Sequence, residues 1–132
     1  MVKVIIAAHG NLAQELLNSA SAIAGIADNI HAVNMTANDS LEQMQKNLSA
    51  FFDSPNDIDG TLILVDMIGG TPCNACAPIC QNFNTQIVAG VNLPMVLSAM
   101  FNSKTMNTSD LADKVCADGV KSIKILKKLL NR

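Results

Sequence analysis

Tryptophan and tyrosine are absent from this 132-residue chain, and phenylalanine occurs only four times. Sequence-tolerant binding of single-stranded nucleic acid depends on aromatic rings on which bases can stack, and this chain lacks them. Positive charge is scarce as well. Nine Lys and Arg stand against eleven Asp and Glu, giving a net charge of −2, and no basic block occurs before the last dozen residues. Nucleic acid is therefore not an expected partner. Long apolar runs are also missing, since none approaches the ~20 residues that a membrane-spanning helix needs. The opening stretch MVKVIIAAHG breaks off at a histidine before it could form the apolar segment of a signal peptide, so a cytoplasmic chain is expected. Neither a G-x-G-x-x-G nor a Walker-type glycine-lysine signature occurs, which leaves nucleotide binding without support. No paired carboxylates suggest a Mg²⁺ site, and no cofactor or metal is expected.

What the chain does have is apolar residues, 49% of the total, enough for a buried core in one domain rather than disorder. They fall into alternating patterns. Residues 2–8, VKVIIAA, form a short β-branched run that reads as a buried strand. Leu12, Ala13, Leu16, Leu17, Ala20, Ile23 and Ala24 then recur at helical spacing until Gly25. A second strand is expected at 30–35. Asp39 with Glu42 reads as a capping box for a helix striped by Leu41, Met44 and Leu48. The turn at 54–60, SPNDIDG, precedes the clearest strand, 61–66. A helix from Thr71, a strand near 86–91, a helix opened by Pro94 and a last helix capped by Thr108 or Ser109 through Ala117 complete the pattern. In the tail, Ile123 and Ile125 alternate with lysines and read as a short strand.

Such alternation predicts an α/β domain built on a mostly parallel sheet with helices on both faces. Ligands of such folds bind beyond the carboxyl ends of the strands, where strand order reverses. Two of the strands end on ionisable residues, the first at His9-Gly10 and the third at Asp66. If these strands are neighbours, both side chains reach one crevice. His9 could serve there as base, metal ligand or nucleophile, while a carboxylate on one ring nitrogen would fix its tautomer and free the other. After Asp66 come Gly69, Gly70, Thr71 and Pro72. The glycines permit a tight turn, Thr71 suits an N-cap and Pro72 the first helical position. The amides of Cys73 and Asn74, with the Thr71 hydroxyl, would then form an anion cradle at a helix N-terminus. The plain structural reading of each part is a well-made strand-to-helix turn; together they describe a phosphoryl-transfer device.

Cysteines 73, 76 and 80 admit two readings. Their spacing suggests metal ligands, but it is equally one face of a helix. Structural zinc takes four ligands, usually in closely spaced pairs, whereas Cys116 and the histidines are distant in sequence. A core of small apolar thiols is the better account, and four thiols in a chain without secretory features do not suggest disulfides. His31, in mid-strand, reads as structural.

The segments IIAAHGNLAQELLNSA, LVDMIGGTPCNA and VAGVNLPM, in that order, resemble the IIA component of the mannose family of the bacterial phosphoenolpyruvate-dependent sugar phosphotransferase system (PTS). The likeness covers essentially the whole chain, implying a single mannose-type IIA domain over residues 1–132. It implies a doubly wound sheet of order 2-1-3-4 and a C-terminal antiparallel strand exchanged within a homodimer. It also implies a phosphocarrier whose His9 takes a phosphoryl group from HPr on ring nitrogen Nε2 and passes it to a IIB component. The IIC and IID membrane components lie downstream, so peripheral association with the permease is implied. Asp66 and Thr71 fall on the family's strand-end aspartate and its glycine-turn hydroxyl. The His-Gly pair favours the sugar-transport branch over related dihydroxyacetone kinase domains, which more often read His-Ser. The chain departs from the pattern in Cys73, where an aromatic residue is usual, in Glu15, where glycine is common, and in Pro78 inside the third helix. A regulatory module whose phosphohistidine reports sugar flux without onward transfer is the alternative function, and a thiol or metal protein is a third.

Overall fold

A computed structural model of the chain describes residues 1–52, 59–82 and 84–131. The strands are β1 (Lys3–His9), β2 (Ile30–Met35), β3 (Thr61–Val65) and β4 (Thr85–Ala89). The helices are α1 (Leu12–Ala24), α2 (Leu41–Ser49), α3 (Thr71–Asn82), α4 (Leu93–Asn102), α5 (Thr108–Lys121) and α6 (Leu126–Leu130), with a 3-10 turn at Ala50–Phe52. The sheet is parallel throughout, in the order β2-β1-β3-β4. Strand order thus reverses between β1 and β3, and His9 and Asp66 leave adjacent strands at the same end.

A parallel sheet must be covered on both faces, and the alternation along β1 shows how this chain does it. Val4, Ile6 and Ala8, with Leu62 and Leu64, pack against Ala13 and Ala20 of α1, Val96 and Ala99 of α4, and Leu111 and Val115 of α5. Ile5 and Ala7, with Ile63 and Val65, face Met44 and Leu48 of α2 and Ala75 and Cys76 of α3. Ile5, Ile6, Leu62, Ile63 and Leu64 are fully buried. Each contributes roughly 1.5–3 kcal/mol relative to an exposed side chain. This rigid slab anchors the strand ends that carry the polar residues.

The helix starts differ from the sequence reading in detail. The cap of α2 is Ser40, whose hydroxyl accepts from the Gln43 amide at 3.1 Å, while Asp39 turns back to accept from Thr36. Asn107 rather than Thr108 or Ser109 caps α5, and that helix runs on to Lys121. The tail departs further. Residues 123–125 take no part in the described sheet, and Leu126–Leu130 close a helical turn. A strand needs a neighbour to satisfy its backbone, whereas a helix satisfies its own. Within one copy of the chain the tail therefore coils, leaving Ile123, Ile125, Leu126 and Leu130 exposed. Among the described residues no helix is long and apolar enough to cross a membrane.

Candidate functional site

The site is built from the carboxyl ends of β1, β2 and β3 and the first turns of α1 and α3. At its centre, His9 Nδ1 lies 2.7 Å from Asp66 Oδ2. The same carboxylate oxygen accepts the His9 backbone N–H at 3.0 Å, and Oδ1 accepts the Met67 N–H at 3.0 Å. Three hydrogen bonds therefore fix the carboxylate, which is 12% exposed, beneath a ring that is 46% exposed. Burial pushes the Asp66 carboxyl up. That effect is outweighed by the His9 backbone and side-chain hydrogen bonds, the charge of His9 and the Met67 amide, so the group sits below its ordinary value. An ionised carboxylate can only accept. Nδ1 must therefore carry the proton, and in the neutral ring Nε2 keeps a free lone pair.

The turn from Asp66 into α3 places two glycines side by side for different reasons. Gly69 has φ +80°, a region costly to residues with a Cβ, yet nothing lies within 4 Å of where that Cβ would stand. The backbone of Gly70 needs no such freedom. A Cβ there would stand 2.8 Å from His9 Cε1, 3.6 Å from Nε2 and 3.2 Å from Met67 Cγ. The glycine turn thus lies against the Cε1–Nε2 edge of the His9 ring.

Thr71 is the first residue of α3 and is half-buried. Its hydroxyl makes no hydrogen bond among the described residues. Pro72 has no N–H, so the amides of Thr71 and Cys73 are the first-turn donors without a helical acceptor. Asn74, read from sequence as a further donor, is already engaged. Its amide donates to Gly70 O at 2.9 Å as the first bond of the helix, and its Nδ2 reaches Gly69 O at 3.3 Å. Asn74 therefore braces the turn. The Cys73 amide has no helical acceptor, and its side chain packs partly into the core beside Ala75 and Cys76. Burial, with lesser repulsion from Cys73 and Cys80, pushes the Cys76 thiol up to about 12, so it stays protonated. Among the described residues no group of three His, Cys, Asp or Glu side chains could hold a metal ion.

One contribution has no signal in the sequence. The end of β2 also enters the site, where Asn34 Oδ1 accepts the Gln14 amide at 3.1 Å and Met35 O accepts the Gly10 amide at 2.7 Å. Asn34 thus caps α1 from another strand, whereas Asn11, at the cap position, makes no side-chain capping bond. These two bonds fix the segment that follows His9.

The chain matches, over residues 3–116, the family model described as "PTS system fructose IIA component". It is 31% identical over 134 residues to the PTS system fructose-specific EIIA component of Bacillus subtilis (strain 168), covering 100% of this chain and 91% of that protein. Against the sorbose-specific EIIA component of Lacticaseibacillus casei the identity is 28%, covering 83% of this chain and 80% of the relative. The mannose-specific EIIAB component of Escherichia coli (strain K12) is 27% identical across 93% of this chain, which spans 40% of that longer protein. Among solved structures, a phosphotransferase EIIA component from Streptococcus agalactiae superposes with TM-score 0.89 at 28% identity, over 97% of this chain and 99% of its own. The mannose/sorbose-specific IIA subunit from Enterococcus faecalis gives 0.86 at 33%, over 94% and 93%.

Proposed function

The chain belongs to the mannose-type IIA family of the phosphotransferase system, and from that premise we propose that it carries phosphoryl groups on His9, from phospho-HPr to a IIB component. The observation that carries the reading is the 2.7 Å contact between His9 Nδ1 and Asp66 at the strand-order switch. With Nδ1 protonated, the Nε2 lone pair attacks the phosphorus of the donor's phosphohistidine. A new N–P bond forms as the donor N–P bond breaks, and the donor ring takes back that electron pair. The phosphorylated His9 ring is cationic, and the ionised Asp66 stabilises it through the retained Nδ1–H bond. Onward transfer to IIB reverses these roles. Asp66 accepts the hydrogen bond that keeps the proton on Nδ1 and orients the ring, and no metal ion or cofactor is called upon.

The transferring group carries negative charge on its equatorial oxygens. Nε2 lies beside Gly70, where the Thr71 and Cys73 amides and the Thr71 hydroxyl begin α3. The positive end of a helix favours anions by about 0.3–1 kcal/mol at exposed sites. These donors form the phosphoryl cradle, with Asn74 supporting the turn from below.

Assembly belongs to the same reading. Residues 1–132 act as one IIA domain in the cytoplasm, docking peripherally on a permease of IIC and IID components. A homodimer follows if the exposed segment Ile123–Leu126 adds as an antiparallel strand to a partner's sheet. The exposed apolar side chains of the tail and the outer edge of β4, unpaired among the described residues, support that exchange.

The test is a two-step relay. The protein is incubated with phosphoenolpyruvate, enzyme I and HPr, freed of donors, and mixed with a IIB domain while an acid-labile phosphoryl group is followed on each protein. Uptake followed by transfer to IIB is expected. Uptake with no transfer to any mannose-family IIB would replace the carrier with a flux-reporting module.

A further inference from the structure

We infer that Gly70 is a positioning residue for the reactive ring: its missing side chain is the space that lets the His9 ring sit against the turn with Nδ1 on Asp66 and Nε2 open. The inference rests on the reading of His9 as the phosphoryl acceptor. The adjacent glycines make the argument. Gly69 is held at φ +80° in open surroundings, so there the requirement is backbone freedom. Gly70 has no positive φ, so backbone freedom does not explain it. What sets it apart is the surface it meets. A methyl group there would stand 2.8 Å from His9 Cε1, closer than real carbon contacts allow, and 3.2 Å from Met67 Cγ. Met67 is 55% exposed and can turn away. The ring yields by rotating about its own side-chain bonds. Cε1 lies between the two nitrogens, so a rotation that carries it away from Gly70 also displaces Nδ1 from its 2.7 Å partner.

The ring is otherwise lightly held, with its side chain 46% exposed. It is held by the Asp66 hydrogen bond on one edge, with the space over Gly70 along the next. Fill that space and the ring is pushed off the carboxylate that fixes its orientation and tautomer. Free imidazole interconverts between tautomers, and only the form with the proton on Nδ1 leaves Nε2 nucleophilic. Gly70 therefore acts on the reaction through His9 and needs no contact of its own with the phosphoryl group.

The test uses the full chain labelled with ¹⁵N in its histidine rings, comparing wild type, Gly70→Ala and Gly69→Ala by long-range ¹H–¹⁵N spectra above neutral pH. Wild type is expected to show the Nδ1–H tautomer at His9. Gly70→Ala is expected to lose that preference, with phosphoryl uptake from phospho-HPr slower by roughly 10²-fold, the scale on which about 1 Å of misplacement acts. Gly69→Ala strains the same turn without meeting the ring, so it should unfold at lower temperature yet keep the His9 tautomer. The inference is overturned if Gly70→Ala retains the wild-type tautomer, or if Gly69→Ala shifts it equally. Wild type also provides a test without any substitution. A strong nuclear Overhauser effect between the Gly70 α-protons and His9 Hε1 is expected, and its absence would overturn the placement. The tautomer and the Overhauser effect are read without any phosphate donor, so they judge Gly70 even if wild-type protein were to take up no phosphate.

Discussion

The two histidines stand on neighbouring strands in opposite surroundings. His31 pairs in register with Ile5 near the start of the edge strand β2, and its ring lies 5.0 Å from that of Phe51. Burial first, and then the nearby charge of Lys3, hold it below the ordinary histidine value of 6.5. Lys3 itself bonds to Phe51 O and lies 5.6 Å above the Phe52 ring, which keeps a cation at that end of the sheet. His9 stands where its strand ends, open to solvent, with an ionised carboxylate on one nitrogen. Residue type is the same; position along the strand and the sign of the neighbouring charge differ. A cation beside a half-buried ring keeps it neutral and packed, whereas an anion beside an exposed ring fixes its proton and leaves a nucleophile.

The sharpest way to break this contrast is to delete each ring. His9→Ala is expected to abolish phosphoryl uptake, while His31→Ala, if folded, should keep the rate within about threefold of wild type; comparable losses in both would erase the distinction. Next in size is the anion itself. Asp66→Asn keeps the shape but removes the charge that selects the tautomer and supports the phosphorylated ring. A fall in uptake on the order of 10²-fold is expected, with the fold intact by circular dichroism. An unchanged rate would remove Asp66 from the mechanism.

A smaller effect concerns pH. The folded value of His31 is depressed, so the unfolded chain binds the proton more readily. The stability linked to this ring is complete above 6.5 and declines as the pH falls below it toward the folded value. The melting temperature of wild type should therefore drop more steeply than that of His31→Gln between pH 7 and 5; parallel curves would contradict the assignment. The Asp66 contribution follows the same sign at lower pH, present above 3.8 and lost as the pH falls through the folded value. The smallest effect lies far from both rings. Removing residues 123–132 should leave the melting temperature of the domain nearly unchanged while converting any dimer to monomer in light scattering. A dimer that survives the truncation would show that another surface holds it.

The contrast between the histidines was largely legible in the sequence, because it depends on where apolar runs stop. VKVIIAA ends on His9 and TLILV on Asp66, and once a parallel sheet is inferred, ligand sites follow at those ends. Contacts decided by register were not legible. Nothing local marks Asn34 as the cap of α1, because the bond joins residues 20 apart across two elements. Gly69 and Gly70 read together as one turn signal, and only the position of the His9 ring separates conformational need from steric need. Asn74 carried a plausible donor, but Gly70 O accepts the first bond of the helix and consumes that amide. In the tail, alternation of isoleucine and lysine suggests a strand without specifying whose sheet it joins, and within one copy Leu126–Leu130 form a helical turn instead.

The measurement that bears most directly on the whole account is intact-mass spectrometry after incubation with phosphoenolpyruvate, enzyme I and HPr at mildly alkaline pH, on wild type and His9→Ala. One acid-labile phosphoryl adduct on wild type and none on the folded variant is the predicted result. An adduct retained by His9→Ala, or none on either folded protein, would contradict the claim that this strand-end histidine carries the phosphoryl group.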